Sequence, residues 1–168
     1  MQWRQGFVLG MMLEALRQSI SEYFCPTPMP TLERAIAIAA QAHAGQFDKA
    51  GEPYILHPIQ VMLRVSSEQE RIAAILHDVV EDSDVTLQQL REEGFAETVL
   101  EAIDALTKRR GENRMDAAHR AAANEIARRV KLADNAENSN IERIPQPTEK
   151  DYARLREYEQ VRKILLAE

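Results

Sequence analysis

Apolar residues recur at three- and four-residue steps along most of this chain, the period of a helix that buries one side. In "TLERAIAIAAQAHAGQ" the stripe runs Leu32, Ala35, Ile36, Ala39 and His43 behind a threonine cap at Thr31 and stops near Gly45. "FDKAGEPYILHP" breaks the period with two prolines and reads as a loop, and Pro58 opens the next helix, "PIQVMLRVSS", which puts His57 at a helix mouth. A helix is expected over 68–81. Another covers "TLQQLREEG", where Thr86 and Gln89 have capping-box spacing and Gly94 closes the turn. Further helices are expected at 96–107, 115–122 and 124–139. A last one follows "PQPT", with Tyr152, Leu155, Tyr158 or Glu159, Arg162 and Leu165 along one side. Strand-like alternation is absent, so the expected fold is all-α.

Upstream, residues 7–24 read as an amphipathic helix and "CPTPMP" as a stiff connector, because each proline fixes its own φ and restricts its predecessor. The expected organisation is therefore an N-terminal helix and connector over 1–30 and one domain over 31–168. With 168 residues, 45% of them hydrophobic, the chain can bury a core without staples. A formal charge of −6 argues against a nucleic-acid partner, since such binders need basic surface to displace counterions. The single cysteine, Cys25, rules out an internal disulfide and suggests a cytoplasmic setting. No run of about 20 apolar residues suggests a membrane span. Nothing in the pattern speaks against a homo-oligomer.

One stretch resists the core pattern. "AAILHDVVEDSD" interrupts an apolar run with His77 and Asp78, then with Glu81 and Asp82. Adjacent residues on a helix point about 100° apart, so His77 and Asp78 can flank a point beside the helix. A metal ion is such a point, and imidazole with carboxylate suits Mn²⁺, Fe²⁺, Co²⁺ or Zn²⁺. A capped or solvent-facing His-Asp pair is the plain alternative. Asp134, after Val130, Leu132 and Ala133 in "RRVKLADNAEN", sits at the edge of an apolar face where an unpaired charge is costly. His57 is a fourth candidate. Together the four form a His₂Asp₂ set with room for water and no cysteine to close it as a structural zinc site.

"AHAGQFDKAGEPYILHP", "AAILHDVVEDSD", "ALTKRRGE" and "ARRVKLADNAEN" resemble, in order and spacing, the HD-type hydrolase domain of RelA/SpoT homologues and the small alarmone hydrolases. The resemblance spans about residues 31–140. It implies an HD-domain helical bundle, one Mn²⁺ held by His57, His77, Asp78 and Asp134, and a nucleotide substrate. The implied reaction is removal of the 3′-diphosphate from guanosine tetra- or pentaphosphate. It also implies that Glu81 and Asp82 position and activate the attacking water. Read as positions on one helix, those two lie one turn beyond His77 and Asp78 on the same faces.

Two departures from the family bear on the substrate. Where the family has an Arg-Lys pair, this chain has Asp48 and Lys49, and Asp48 could accept hydrogen bonds from a guanine edge. "ADNAEN" places Asn135 and Glu137 where the family has arginine and histidine. Candidates for the phosphates are Lys49, Arg120, Lys131 and Asn138, with Lys108 and Arg109 behind them. His43 is expected as a hydrogen-bonded pocket-wall histidine and His119 as a structural or exposed one. Tyr158 is expected in the core, although it resembles the aromatic that the small hydrolases place over the nucleotide. Two rival readings remain open: an adenosine alarmone or another 2′- or 3′-phosphorylated nucleotide as substrate, and a catalytically idle nucleotide-binding regulatory domain.

Overall fold

The computed structural model describes residues 30–167, so the expected helix over 7–24, Cys25 and most of the proline connector lie outside it. Nine α-helices follow in order: α1 Leu32–Ala42, α2 Leu56–Leu63, α3 Glu68–Leu76, α4 Val79–Asp82, α5 Leu87–Glu92, α6 Glu97–Leu106, α7 Arg114–Ala122, α8 Glu125–Asn138 and α9 Glu149–Leu166. A short 3₁₀ turn, Ile141–Arg143, separates α8 from α9. Among the described residues the one β feature is an isolated antiparallel bridge between Phe47 and Pro53. No described helix is long and apolar enough to cross a membrane.

The centre of the bundle is α3. Ile72, Ala73, Ala74, Ile75 and Leu76 are all buried, so this helix is apolar nearly all round. It packs against α1, α2, α6 and α8. Its start is fixed by a capping box in which Ser67 accepts from the Glu70 N–H while the Glu70 carboxylate accepts from the Ser67 N–H. The buried Glu70 also pairs with Arg129 of α8 at 2.9 Å, tying the two helices together.

Three expectations are corrected here. The helix expected over 68–81 breaks at Leu76, and His77 and Asp78 form a turn before α4. His77 Nδ1 bonds the Ala74 carbonyl at 2.7 Å, so an imidazole satisfies an acceptor that the ending helix leaves free. The helix carrying His57 begins at Leu56, two residues before Pro58. Pro58 still lies in the first turn, where its missing N–H has no partner to lose. In α9 the buried positions are Val161 and Leu165, with Leu155 and Tyr158 half-buried, whereas Arg162 and Tyr152 are exposed. The real stripe steps from Tyr158 to Val161.

Candidate metal centre and its cavity

His57 from α2, His77 and Asp78 from the turn after α3, and Asp134 from α8 meet at one point. One ligand atom from each of His57, His77 and Asp78 lies within 4.8 Å of the others. His77 Nε2 is 3.0 Å from Asp78 Oδ2 and 3.8 Å from Asp134 Oδ1, and His57 Nε2 is 3.3 Å from Asp134 Oδ1. His77 Nε2 is nevertheless buried and hydrogen-bonds to nothing among the described residues. With Nδ1 bonded to the Ala74 carbonyl, Nε2 is the nitrogen turned towards the cluster, where it faces two carboxylates. Once deprotonated, two imidazole nitrogens with two carboxylate oxygens fit a divalent transition metal.

The electrostatics agree. Burial works against the His77 imidazolium, but the charge of Asp78, with help from Asp134, outweighs it and pushes the group up to about 10. Burial also raises the Asp78 and Asp134 carboxyls. It is overcome by His77 at Asp78 and by Lys131 and the histidines at Asp134, which hold both well below the usual carboxylate range.

The groups around these four are arranged as a support. Tyr54 donates its hydroxyl to Asp78 Oδ2 at 2.6 Å, and its own ionisation is suppressed by burial and by that aspartate. Lys131 reaches Asp134 Oδ2 at 2.9 Å, and the Asn138 amide donates to Asp134 Oδ1. Tyr54 was not foreseen. Its signal was an aromatic three residues before His57, on a loop that folds back through Tyr54 N–H to the Gln46 carbonyl.

Above the four lies a cavity of about 430 Å³. Glu81 and Asp82 both line it. Glu81 Oε2 accepts the Lys108 N–H at 3.0 Å, and Oε1 has no hydrogen-bond partner among the described residues. Burial, then the charges of Asp78 and Glu81, raise the Asp82 carboxyl above the ordinary range, so it holds a proton more readily than a free aspartate. Because the helix is broken at His77, Glu81 does not follow that histidine on a continuous helical face. Asp82 is one turn beyond Asp78 through its N–H to the Asp78 carbonyl at 2.9 Å.

Among the cations, Lys49, Lys108 and Lys131 line the cavity, as do Asn138 and three arginines, Arg114, Arg143 and Arg154, that the sequence pattern did not single out. Lys49 is paired with Asp151 at 2.8 Å. Arg109 pairs with Asp104 on the surface, away from this cavity. Arg120 is a correction. It does not line the cavity, because its guanidinium bonds the carbonyls of Asp104, Ala105 and Thr107 and the Glu112 carboxylate, clamping the end of α6.

Of the two courses open to Asp48, turning away from a base or accepting from its edge, the contacts favour the first. Oδ1 accepts the N–H groups of Ala50 and Glu52, and Oδ2 pairs with Arg143 at 2.7 Å, so its acceptors are spent on protein donors rather than a base edge. Tyr158 lines the cavity with the Arg114 guanidinium 4.9 Å above its ring, where a core position was expected. His43 is buried against Tyr54 and bonded to Gln46 at 2.8 Å, behind the cavity wall, and His119 is exposed. Asn135 donates to the Tyr158 carbonyl and Glu137 pairs with Arg64 at 2.7 Å, so both departures in "ADNAEN" hold helices together.

Comparison with known proteins agrees with this geometry. Residues 35–138 match the family described as "HD domain". Over 99 residues, 56% of this chain, it is 36% identical to the guanosine-3′,5′-bis(diphosphate) 3′-pyrophosphohydrolase of Aquifex aeolicus. Over 101 residues, 58% of this chain, it is 36% identical to the bifunctional (p)ppGpp synthase/hydrolase SpoT of Escherichia coli K12. In each case the matched segment is 14% of the relative's length. A solved structure described as a metazoan ortholog of SpoT that hydrolyzes ppGpp superimposes with a TM-score of 0.67 at 22% identity, covering 81% of this chain and 85% of that one.

Proposed function

Since this chain belongs to the HD domain family, we propose that it is a Mn²⁺-dependent pyrophosphohydrolase that removes the 3′-diphosphate from a guanosine tetra- or pentaphosphate-type alarmone. The observation that carries this reading is the pairing of two features in one cavity. Its floor carries His57, Asp78 and Asp134, with the buried His77 Nε2, which has no hydrogen-bond partner among the described residues, beside Asp78, and its wall holds six basic side chains in a protein of net charge −6. Against those six bases the wall carries four acidic side chains and the floor two, Asp78 and Asp134, so a dication on the floor would make the whole lining net positive. A phosphate-rich anion fits that sign.

His57, His77, Asp78 and Asp134 would hold the ion, which supplies charge that lowers the pKa of water and stabilises phosphoryl oxygens. Tyr54, Lys131 and Asn138 keep the two aspartates in place. Glu81 takes the proton of the attacking water at Oε1, the oxygen that Lys108 does not occupy. Water adds to the phosphorus attached to the 3′-oxygen, and the bond to that oxygen breaks. The 3′-oxygen leaves with the electron pair and takes up a proton from water, while Asp82, also on the cavity wall, helps to position the attacking water. Lys49, Lys108 and Lys131 receive the phosphate oxygens, and Lys49 must give up Asp151 to do so.

The test is a panel of metal-loaded assays on guanosine and adenosine 3′-diphosphates, the corresponding 3′-monophosphates and NADPH, reading released phosphate and diphosphate separately. Diphosphate released from guanosine 3′-diphosphates, ahead of every other member, is the expected result. Phosphate released from a 3′-monophosphate as the fastest reaction would replace this reading.

A further inference from the structure

Two arginines near this cavity make opposite use of their donors. Arg120 forms five hydrogen bonds to carbonyl and carboxylate oxygens and has nothing left to offer a ligand. Arg143, on the turn between α8 and α9, lines the cavity, yet its firm bonding is one contact, Nη1 to Asp48 Oδ2 at 2.7 Å. Its Nη2 reaches the Asn138 oxygen only at 3.5 Å, and its buried Nε has no partner among the described residues. A purely structural guanidinium in a well-packed protein has its donors satisfied. This one does not.

Asp48 explains how it is held. The aspartate caps the loop through the N–H groups of Ala50 and Glu52, at a turn where Gly51 takes φ +84, and presents its remaining oxygen to Arg143. The guanidinium is thereby pinned by one edge and neutralised by a carboxylate that itself repels phosphate. With that edge held, Nε buried and the side chain 23% exposed along the cavity, the guanidinium can offer a ligand its flat face. The neighbouring lining is apolar, with Ile141, Ile144 and Phe47, and Phe47 is 67% exposed. Position in the cavity is fixed by a chain of contacts: Asp134 at the metal cluster, Asn138 on Asp134, Arg143 near Asn138, Asp48 on Arg143. Arg143 therefore sits between Asn138 and the loop that carries Asp48.

We propose that Arg143, oriented by Asp48, is the residue that holds the nucleobase, by stacking its guanidinium on the ring rather than by reading base edges. The inference rests on the nucleotide reading of the cavity and adds to it the residue and the mode. Stacking on a guanidinium tolerates any purine, so guanine and adenine gain alike from it.

The experiment is calorimetric titration of the manganese-loaded protein with guanosine 5′-monophosphate, adenosine 5′-monophosphate and ribose 5-phosphate, ligands that share the sugar phosphate and differ in the base. Wild type is expected to bind both nucleotides more tightly than ribose 5-phosphate. Arg143→Ala is expected to weaken both nucleotides about 10-fold, the scale of one stacked base, and to leave ribose 5-phosphate unchanged. Arg143→Lys keeps the charge and the reach to Asp48 but has no plane, so it is expected to lose the same factor while preserving the fold. With an alarmone substrate both variants should raise KM and spare kcat. Equal weakening of all three ligands would make Arg143 a phosphate contact, and full affinity in Arg143→Lys would make it a simple charge; either result overturns the proposal. Wild-type binding of all three ligands with equal affinity would remove the base subsite and leave the hydrolase reading standing. No binding of any of them would remove the nucleotide reading and this inference together.

Discussion

Glu81 and Asp134 are carboxylates of one cavity whose surroundings assign them different work. Asp134 is buried and faces both imidazoles, whereas Glu81 is exposed on the wall with one oxygen that has no partner among the described residues. Glu81→Gln is expected to keep the metal and lower turnover by about 10²-fold, the usual scale for a general base, while Asp134→Ala is expected to lose the metal itself. Metal content by atomic emission beside kcat separates the two, and metal loss in Glu81→Gln would make Glu81 a ligand. His77 gives a pH dependence with a definite sign. Its imidazole is raised to about 10 in the metal-free protein, so it is protonated at neutral pH, and an ion must displace that proton. Metal binding at pH 7 to 8 is therefore expected to release about one proton per ion, with affinity rising with pH below about 10. Calorimetry in two buffers of different ionisation enthalpy measures that number, and zero release would contradict it. The four clustered residues were legible in the sequence because ionisable groups stood out against apolar helix patterns. Lys49, Lys108 and Lys131 were legible as well, but the arginines were not, because Arg120 and Arg143 look alike along the chain, and only packing shows that one clamps carbonyls and the other faces a cavity.

Helix existence followed from periodicity, and the caps Thr31 and Thr86 from local hydrogen bonding, whereas the Ser67 cap of α3 was read as the end of the preceding helix. Periodicity could not locate the break after Leu76. The apolar run continues through Val79 and Val80, and what ends α3 is the His77 side chain taking the Ala74 carbonyl, a choice made by the cluster that the imidazole serves. The phase of α9 was also hidden, since Arg162 and Val161 are adjacent and only the partner helices decide which is covered. The Arg120 clamp is the clearest energetic claim at this scale. It satisfies three carbonyls at the end of α6 and a largely buried Glu112, all from α7 and the loop before it. Arg120→Met is expected to cost about 3 kcal/mol of stability, the scale for stranding a buried ionic partner, with KM unchanged. Denaturant unfolding and steady-state kinetics check the pair of outcomes; a raised KM in a protein of wild-type stability would return Arg120 to the substrate side.

Taken as a whole, the molecule carries an excess of negative charge, yet gathers bases around one cavity and leaves an acidic, imidazole-lined floor beneath them. The described lining of the cavity runs from Phe47 to Tyr158. Ion binding at the floor couples three separate segments, so chelation is expected to lower the melting temperature as well as activity. The account depends most on the bond that is broken. Phosphorus NMR of guanosine 3′,5′-bis(diphosphate) incubated with the manganese-loaded protein in ¹⁸O-water reads that bond directly. Equimolar GDP and diphosphate, with the label in the diphosphate and no reaction after chelation, is the predicted result. Label in GDP, release of single phosphates, or undiminished turnover with chelator would contradict it.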